Sequence, residues 1–206
     1  MTGELSKLPG IGRRTALRLA IHLLRMEPDS VSDMTRSIDR FRRDIKYCKL
    51  CNNLSDEEIC PICADRELLA RLIQCEAGGE GEDGMKAVAG VVMNRVHAKG
   101  GEYARVGQGS IRNIIFQPGQ FVCASETERG SYNPQNIYNM RPTDIHYEIA
   151  DWAIAGNRLN GLGTALWFFN PFSPSCRANF PSNVGTFVMR IGDHCFYNPT
   201  AAYYDT

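Results

Sequence analysis

The chain has 206 residues, 43% of them apolar and 22% charged, with 23 Lys/Arg balancing 23 Asp/Glu. That is enough apolar material for one large or two small cored domains. No apolar run approaches the roughly eighteen residues of a membrane-spanning helix, which excludes that class. The charge is uneven: residues 1–47 carry ten basic against six acidic side chains, residues 67–206 eleven against thirteen, so any bias toward a polyanion sits at the amino end.

The first twelve residues lack the charged-then-apolar layout of a secretory signal. The expectation is cytoplasmic synthesis, or a leader missing from this sequence. Lys7-Leu8-Pro9-Gly10-Ile11-Gly12 then forms a turn before a helix predicted over 13–26, with Leu17, Ile21 and Leu24 at helical spacing. Such a turn either simply starts a helix or presents free amides to a phosphate, with Arg13, Arg14 and Arg18 adding charge. Pro28-Asp29-Ser30 reads as a break. A second helix is predicted over 31–46, with Ile38, Phe41 and Ile45 on its apolar side and Arg36, Arg40, Arg42 and Arg43 making it basic.

Cys48-x2-Cys51-x8-Cys60-x2-Cys63 follows. Two Cys-x-x-Cys knuckles read as four thiolates around a structural zinc, closed to substrate because no coordination position remains, rather than as two disulfides or free thiols. In so small a unit the metal largely substitutes for a core. Together, Leu8 to Arg13, Arg18 to Leu24, and Tyr47 through Cys63 resemble the amino-terminal part of the RecR recombination-mediator family. That resemblance implies a helix-hairpin-helix over 1–47 that contacts DNA through Arg13, Arg14 and Arg18 and helps subunits pair as a homodimer. It also implies a structural four-cysteine zinc finger over 48–66. The family continues into a Toprim domain, of which no trace follows Arg66.

A new pattern starts at once. Residues 68–76 read as a helix with Leu69, Leu72 and Ile73 inward and Glu76 at its end, stopped by Gly78 and Gly79. On spacing alone Glu76 is either an exposed helix-end residue or an acid. At a helix C-terminus and against an apolar wall it would favour its protonated form, as a general acid requires. A second helix is predicted over 84–97, opened by Glu82 or Asp83, with Val88, Val91, Val92 and Val96 inward. Gln117-Pro118-Gly119-Gln120-Phe121 and Trp167-Phe168-Phe169-Asn170-Pro171 combine amides with aromatic rings. These residues are either core or the stacking and hydrogen-bonding groups of a sugar groove. Cys75 is expected to be a buried thiol, and a disulfide among Cys123, Cys176 and Cys195 stays open.

The segments 70–80, 87–96, 117–121, 169–171 and 190–197 resemble the SleB/CwlJ cell-wall hydrolases across 67–206. The resemblance implies a lysozyme-like, mostly helical catalytic domain with a few short strands, so the whole chain is expected to be mainly α. It implies cleavage of spore-cortex peptidoglycan between N-acetylmuramic acid and N-acetylglucosamine, with Glu76 catalytic. Substrate contacts are expected from Glu80, Gln117, Gln120, Phe121, Phe169, Asn170 and Tyr197. His194 is expected to be structural, and Asp193 stands where the motif usually has Asn. Because glycosidases ordinarily need two carboxyl groups and Glu80 is expected to hold its loop, lytic transglycosylation with Glu76 as acid and then base is the preferred chemistry. The competing reading is a DNA-binding module with a passive carboxy-terminal domain. The hydrolase resemblance also implies a route by which a leaderless chain becomes spore-associated.

Overall fold

The computed structural model describes all residues, 1–206, as two compact units, Met1–Cys60 and Pro61–Thr206. In the first, α1 (Thr2–Leu5) packs on α2 (Arg13–Arg25), followed by α3 (Pro28–Asp44). Pro28, expected within a break, instead opens α3; its fixed φ and missing amide suit the first helical position. β1 (Lys46–Tyr47) and β2 (Leu54–Ser55) pair antiparallel around the cysteine knuckle.

The apolar spacing of these helices does not translate into burial. Ala16 and Ala20 are buried, whereas Leu17, Ile21, Leu24, Ile38 and Phe41 are exposed. Periodicity marks a face that wants a partner, and here the small side chains face inward while the large ones meet solvent.

The second unit is built on α4 (Pro61–Ala77), which starts seven residues before the expected Leu68 and carries Cys63 in its first turn and Glu76 in its last. Leu69, Leu72 and Ile73 are fully buried, each contributing roughly 1.5–3 kcal/mol by leaving water. They lie in one core with Val88, Val91 and Val92 of α5 (Gly81–Val96). α6 (Gly101–Gly107) and α7 (Ile111–Ile115) follow, then the hairpin β3 (Thr127–Glu128) and β4 (Ser131–Tyr132), then α8 (Asp144–Ile154), which packs on both α4 and α5. Arg66 clamps α4 to α8 by two bonds to Asp151, at 2.6 and 2.8 Å, and lies over the Tyr147 ring.

β5 (Trp167–Phe169), β6 (Gly185–Ile191) and β7 (His194–Pro199) close the unit as an antiparallel sheet in the order β5-β7-β6. A bulge between Phe187 and Met189 shifts the β6 register. Cys176 and Cys195 are joined, fastening the preceding loop to β7. The chain is thus mainly helical with a few short strands, and no helix is long and apolar enough to cross a membrane.

Candidate active site

Helix α4 delivers Glu76 to the boundary between core and solvent. The helix stops at Ala77 because Gly78 follows: its amide closes back on the Gln74 carbonyl at 3.1 Å, where a Cβ would strike that same carbonyl. Burial pushes the Glu76 carboxyl above the usual carboxylate range, only partly offset by the Cys123 thiol and the Arg95 charge. The Cys123 Sγ donates to Glu76 Oε1 at 3.4 Å. The C-terminal end of α4 acts in the same sense as burial, since its dipole disfavours a negative charge. The arrangement therefore favours a protonated carboxyl.

Arg95 is the residue that sequence reading passed over. It is buried in α5, its Nε donates to the Leu166 carbonyl at 2.7 Å, and its guanidinium lies over the rings of Tyr103 (4.6 Å) and Phe121 (5.2 Å). Its Nη1 is buried without a hydrogen-bond partner. Burial lowers its pKa, while the nearby tyrosines and Glu76 pull it up. The sequence signal was an arginine on the inward, valine-rich side of a helix, a position that natural cores fill with charge only when it is paired or used. Beside it, Asn94 donates to the carbonyls of Gly163 and Ala165 and accepts from Arg158, pinning α5 to the loop before β5.

Glu80, expected to hold its loop and to contact substrate, bonds within the protein. Its Oε2 accepts the Asp193 amide at 2.7 Å, and its Oε1 lies 3.7 Å from His194 Nδ1. Gly192 is required here: at φ +54 it sits where a Cβ would collide with the Glu80 carboxylate. Glu80 therefore fastens the turn after Glu76 to the β6–β7 hairpin. His194 packs edge-on against Phe168 at 5.2 Å, and burial lowers its pKa. Its Nδ1 has no hydrogen-bond partner.

Three expected substrate contacts lie inside the protein instead. Gln117 is buried and its Nε2 donates to Glu102; Phe121 is buried under Arg95; Tyr197 is fully buried between Phe169 and Phe187. An aromatic or amide in a motif is as readily packing as binding, and here the sheet takes the rings. Gln120 is half-buried and accepts from the Tyr103 hydroxyl at 3.0 Å; Phe169 packs at a tilt on Phe180, 4.2 Å between ring centroids; Asn170 accepts the Phe172 amide at 2.7 Å. These three retain partial exposure. Cys75, expected to be buried, is half-exposed, and the buried thiol is Cys123.

In the cysteine knuckle, the sulfurs of Cys48, Cys51, Cys60 and Cys63 all lie within 4.8 Å of one another, with 3.6 Å between Cys51 and Cys60. The amides of Cys60 and Leu50 point at Cys48 Sγ at 3.3 and 3.4 Å. The Cys48 thiol is drawn down to about 6, chiefly by the Cys60 and Cys51 amides. Convergent sulfurs with amides aimed at them fit zinc, which takes thiolates as ligands. Arg13, Arg14 and Arg18 are exposed along the first turns of α2, whose N-cap, Gly12, offers no side-chain cap to its amides.

Comparison with known proteins finds two different families along the chain. Residues 1–41 match the RecR helix-hairpin-helix family and residues 45–65 the RecR four-cysteine zinc finger domain. Recombination protein RecR of Bacteroides thetaiotaomicron is 56% identical over 63 residues, 31% of this chain and 31% of the relative. That of Bacteroides fragilis is 49% identical over 71 residues, 34% and 35% of the two chains. The chain thus spans about a third of the length of these curated relatives. Among solved structures, the catalytic domain of the germination-specific lytic transglycosylase SleB from Bacillus anthracis is 25% identical, with a TM-score of 0.49 over 65% of this chain and 93% of that one. The SleB catalytic domain of Bacillus cereus gives 26% and 0.47, over 65% and 89%. Residues 79–197 match the Cell Wall Hydrolase family, beginning just after Glu76. Since that match spans more than half of the sequence, the chain belongs to the cell wall hydrolase family.

Proposed function

We propose that the chain cleaves peptidoglycan between N-acetylmuramic acid and N-acetylglucosamine by lytic transglycosylation. In this reading Glu76 first protonates the leaving oxygen. It then takes the proton of the substrate's own C6 hydroxyl as that oxygen closes on C1 of the muramic acid. One acid suffices because the nucleophile is already in the substrate, at high effective concentration. The observation that carries the reading is the setting of Glu76: a largely shielded carboxyl beside a thiol and a buried guanidinium, with no carboxylate bonded to it. Glu80, the natural candidate for a second acid, is committed to the Asp193 amide.

The test is clearance of decoated spores or purified peptidoglycan, with mass analysis of the products. Wild type should clear the suspension and release anhydromuramic ends, one water lighter than hydrolytic ends. Glu76→Gln should lose about 10²–10⁴-fold in rate. Equal clearance by Glu76→Gln would remove the assignment, and ordinary reducing ends would replace transglycosylation with hydrolysis.

The amino-terminal unit supports a separate proposal. Its exposed Arg13, Arg14 and Arg18, at an uncapped helix start, bind nucleic-acid backbone without reading sequence. The exposed Leu17, Leu24 and Phe41 supply a pairing face for a second copy. Structural zinc held by Cys48, Cys51, Cys60 and Cys63 is part of the same proposal.

A further inference from the structure

A second group of metal-ligand atoms lies away from the zinc knuckle, at Glu76 itself. The Sγ atoms of Cys75 and Cys123 and a carboxylate oxygen of Glu76 all lie within 4.8 Å of one another. Both cysteines are free thiols, although Cys176 and Cys195 in the same unit are joined. Cys75 is half-exposed and gives access; Cys123 is buried and fixed on the short turn Val122–Ala124. The present contacts are weak ones: Cys75 Sγ to the Gln135 carbonyl at 3.8 Å, and Cys123 Sγ to Glu76 Oε1 at 3.4 Å.

The one separation fixed by a hydrogen bond has the length of a coordination-sphere edge, and the other two lie within 4.8 Å. With Zn–S near 2.3 Å and Zn–O near 2.0 Å, the sulfur–oxygen edge of a tetrahedron is about 3.5 Å and the sulfur–sulfur edge about 3.8 Å. The Cys123–Glu76 edge already has that length at 3.4 Å. The remaining adjustment falls on Cys75, which is half-exposed and held only by the long contact to the Gln135 carbonyl. Two sulfurs and one oxygen select a thiophilic divalent cation over calcium or magnesium, which prefer all-oxygen sites.

We propose that Cys75, Glu76 and Cys123 form an inhibitory site for a thiophilic divalent cation of the zinc class. On binding, each thiol S–H breaks, its proton leaves to solvent, and a sulfur–metal bond replaces it. The Glu76 carboxyl likewise loses its proton to solvent and contributes a carboxylate oxygen, and a water completes the fourth position. Metal capture occupies the carboxyl that would donate the proton, so the enzyme is off when loaded. Binding does not depend on what Glu76 does in catalysis; only the loss of activity rests on the function proposed above.

The experiment uses the full chain with its four-cysteine knuckle already zinc-loaded, and zinc as the probe. Bound metal is counted after desalting from excess zinc. Alkylation of each cysteine is then mapped by mass spectrometry without reductant. Wild type should retain a second equivalent that Cys75→Ser/Cys123→Ser lacks. In wild type Cys75 should alkylate before that equivalent is added and be protected after it. Added zinc should stop peptidoglycan clearance, and a chelator too weak to strip four thiolates should restore it. Equal zinc content in wild type and double variant would overturn the site. So would Cys75 alkylation that zinc does not change, or a Cys75–Cys123 disulfide in the protein as isolated. The alkylation arm needs only wild type and decides the matter even if the double variant does not fold.

Discussion

Replacing Glu80 by glutamine separates a one-acid from a two-acid mechanism. Glu80 sits one helical turn beyond Glu76 in sequence and belongs to the same motif, so a conventional glycosidase would use it as base or nucleophile. The structure instead gives it a mechanical role. Its Oε2 accepts the Asp193 amide at 2.7 Å across 113 residues of sequence, holding the β6–β7 hairpin against the start of α5. Glutamine keeps an acceptor oxygen of the same reach and loses only the charge. A charge-assisted bond exceeds a neutral one by about 1 kcal/mol. The expected cost is therefore about 1 kcal/mol of stability, or about 3 °C in melting temperature for a unit of this size. Even if all of it appeared in the transition state, clearance would slow only about fivefold. Removing a chemical carboxylate is a different order of effect, about 10²–10⁴-fold, as expected for Glu76→Gln. Melting curves and clearance rates for wild type, Glu80→Gln and Glu76→Gln decide between the two. If Glu80→Gln melts like wild type yet is as inactive as Glu76→Gln, Glu80 is a reacting group and the one-acid mechanism is wrong.

Removing the Cys176–Cys195 bond by Cys176→Ser/Cys195→Ser frees a loop closed over a sequence separation of 19; loop entropy gives a loss of about 3 kcal/mol, seen as a melting temperature lower by about 10 °C. An unchanged melting temperature would mean that the loop is held by its other contacts. Glu67 provides a pH test of stability: burial pushes its carboxyl up, but the Tyr147 hydroxyl and Arg71 outweigh burial and leave it below its ordinary value. A depressed carboxylate stabilises the fold above its unfolded pKa of about 4.3, and that contribution disappears as pH falls through the folded value. Glu67→Gln should therefore melt below wild type at neutral pH and converge with it in acid; an offset independent of pH would contradict the ion-pair account. For the amino-terminal unit, Arg13→Ala/Arg14→Ala/Arg18→Ala should weaken binding to single- and double-stranded DNA uniformly across sequences. The logarithmic salt slope should fall by about 1 for each phosphate no longer neutralised. An unchanged slope in a gel-shift series would place DNA elsewhere or nowhere.

The parts of this protein that were legible in its sequence are those set by neighbours along the chain. The cysteine knuckle is one, because two-residue spacers fix where the sulfurs point. The inward row Leu69, Leu72 and Ile73 is another, because helical periodicity alone generates it. The start of α4 was not legible: Pro61, just after a zinc-ligand pattern, reads as part of a knuckle, yet it is the first residue of the helix that ends at Ala77, one residue past Glu76. Burial at the site was not legible either, since it is settled by partners far away in sequence. Tyr197 goes inside because β7 is the middle strand of its sheet, with β5 on one side and β6 on the other. Phe121 goes inside because it covers Arg95, which bonds Leu166 across 71 residues.

Exposure at Leu17, Leu24 and Phe41 reverses the lesson: apolar residues at helical spacing there meet solvent instead of a core. The same non-local step makes the site at Glu76. Nothing in the spacing of Cys75 and Cys123 connects them, yet the turn after Phe121 brings the second thiol to the carboxylate. The buried sulfur that bonds Glu76 Oε1, and so offsets part of the burial that favours its proton, is also one of the ligand atoms of the proposed metal site.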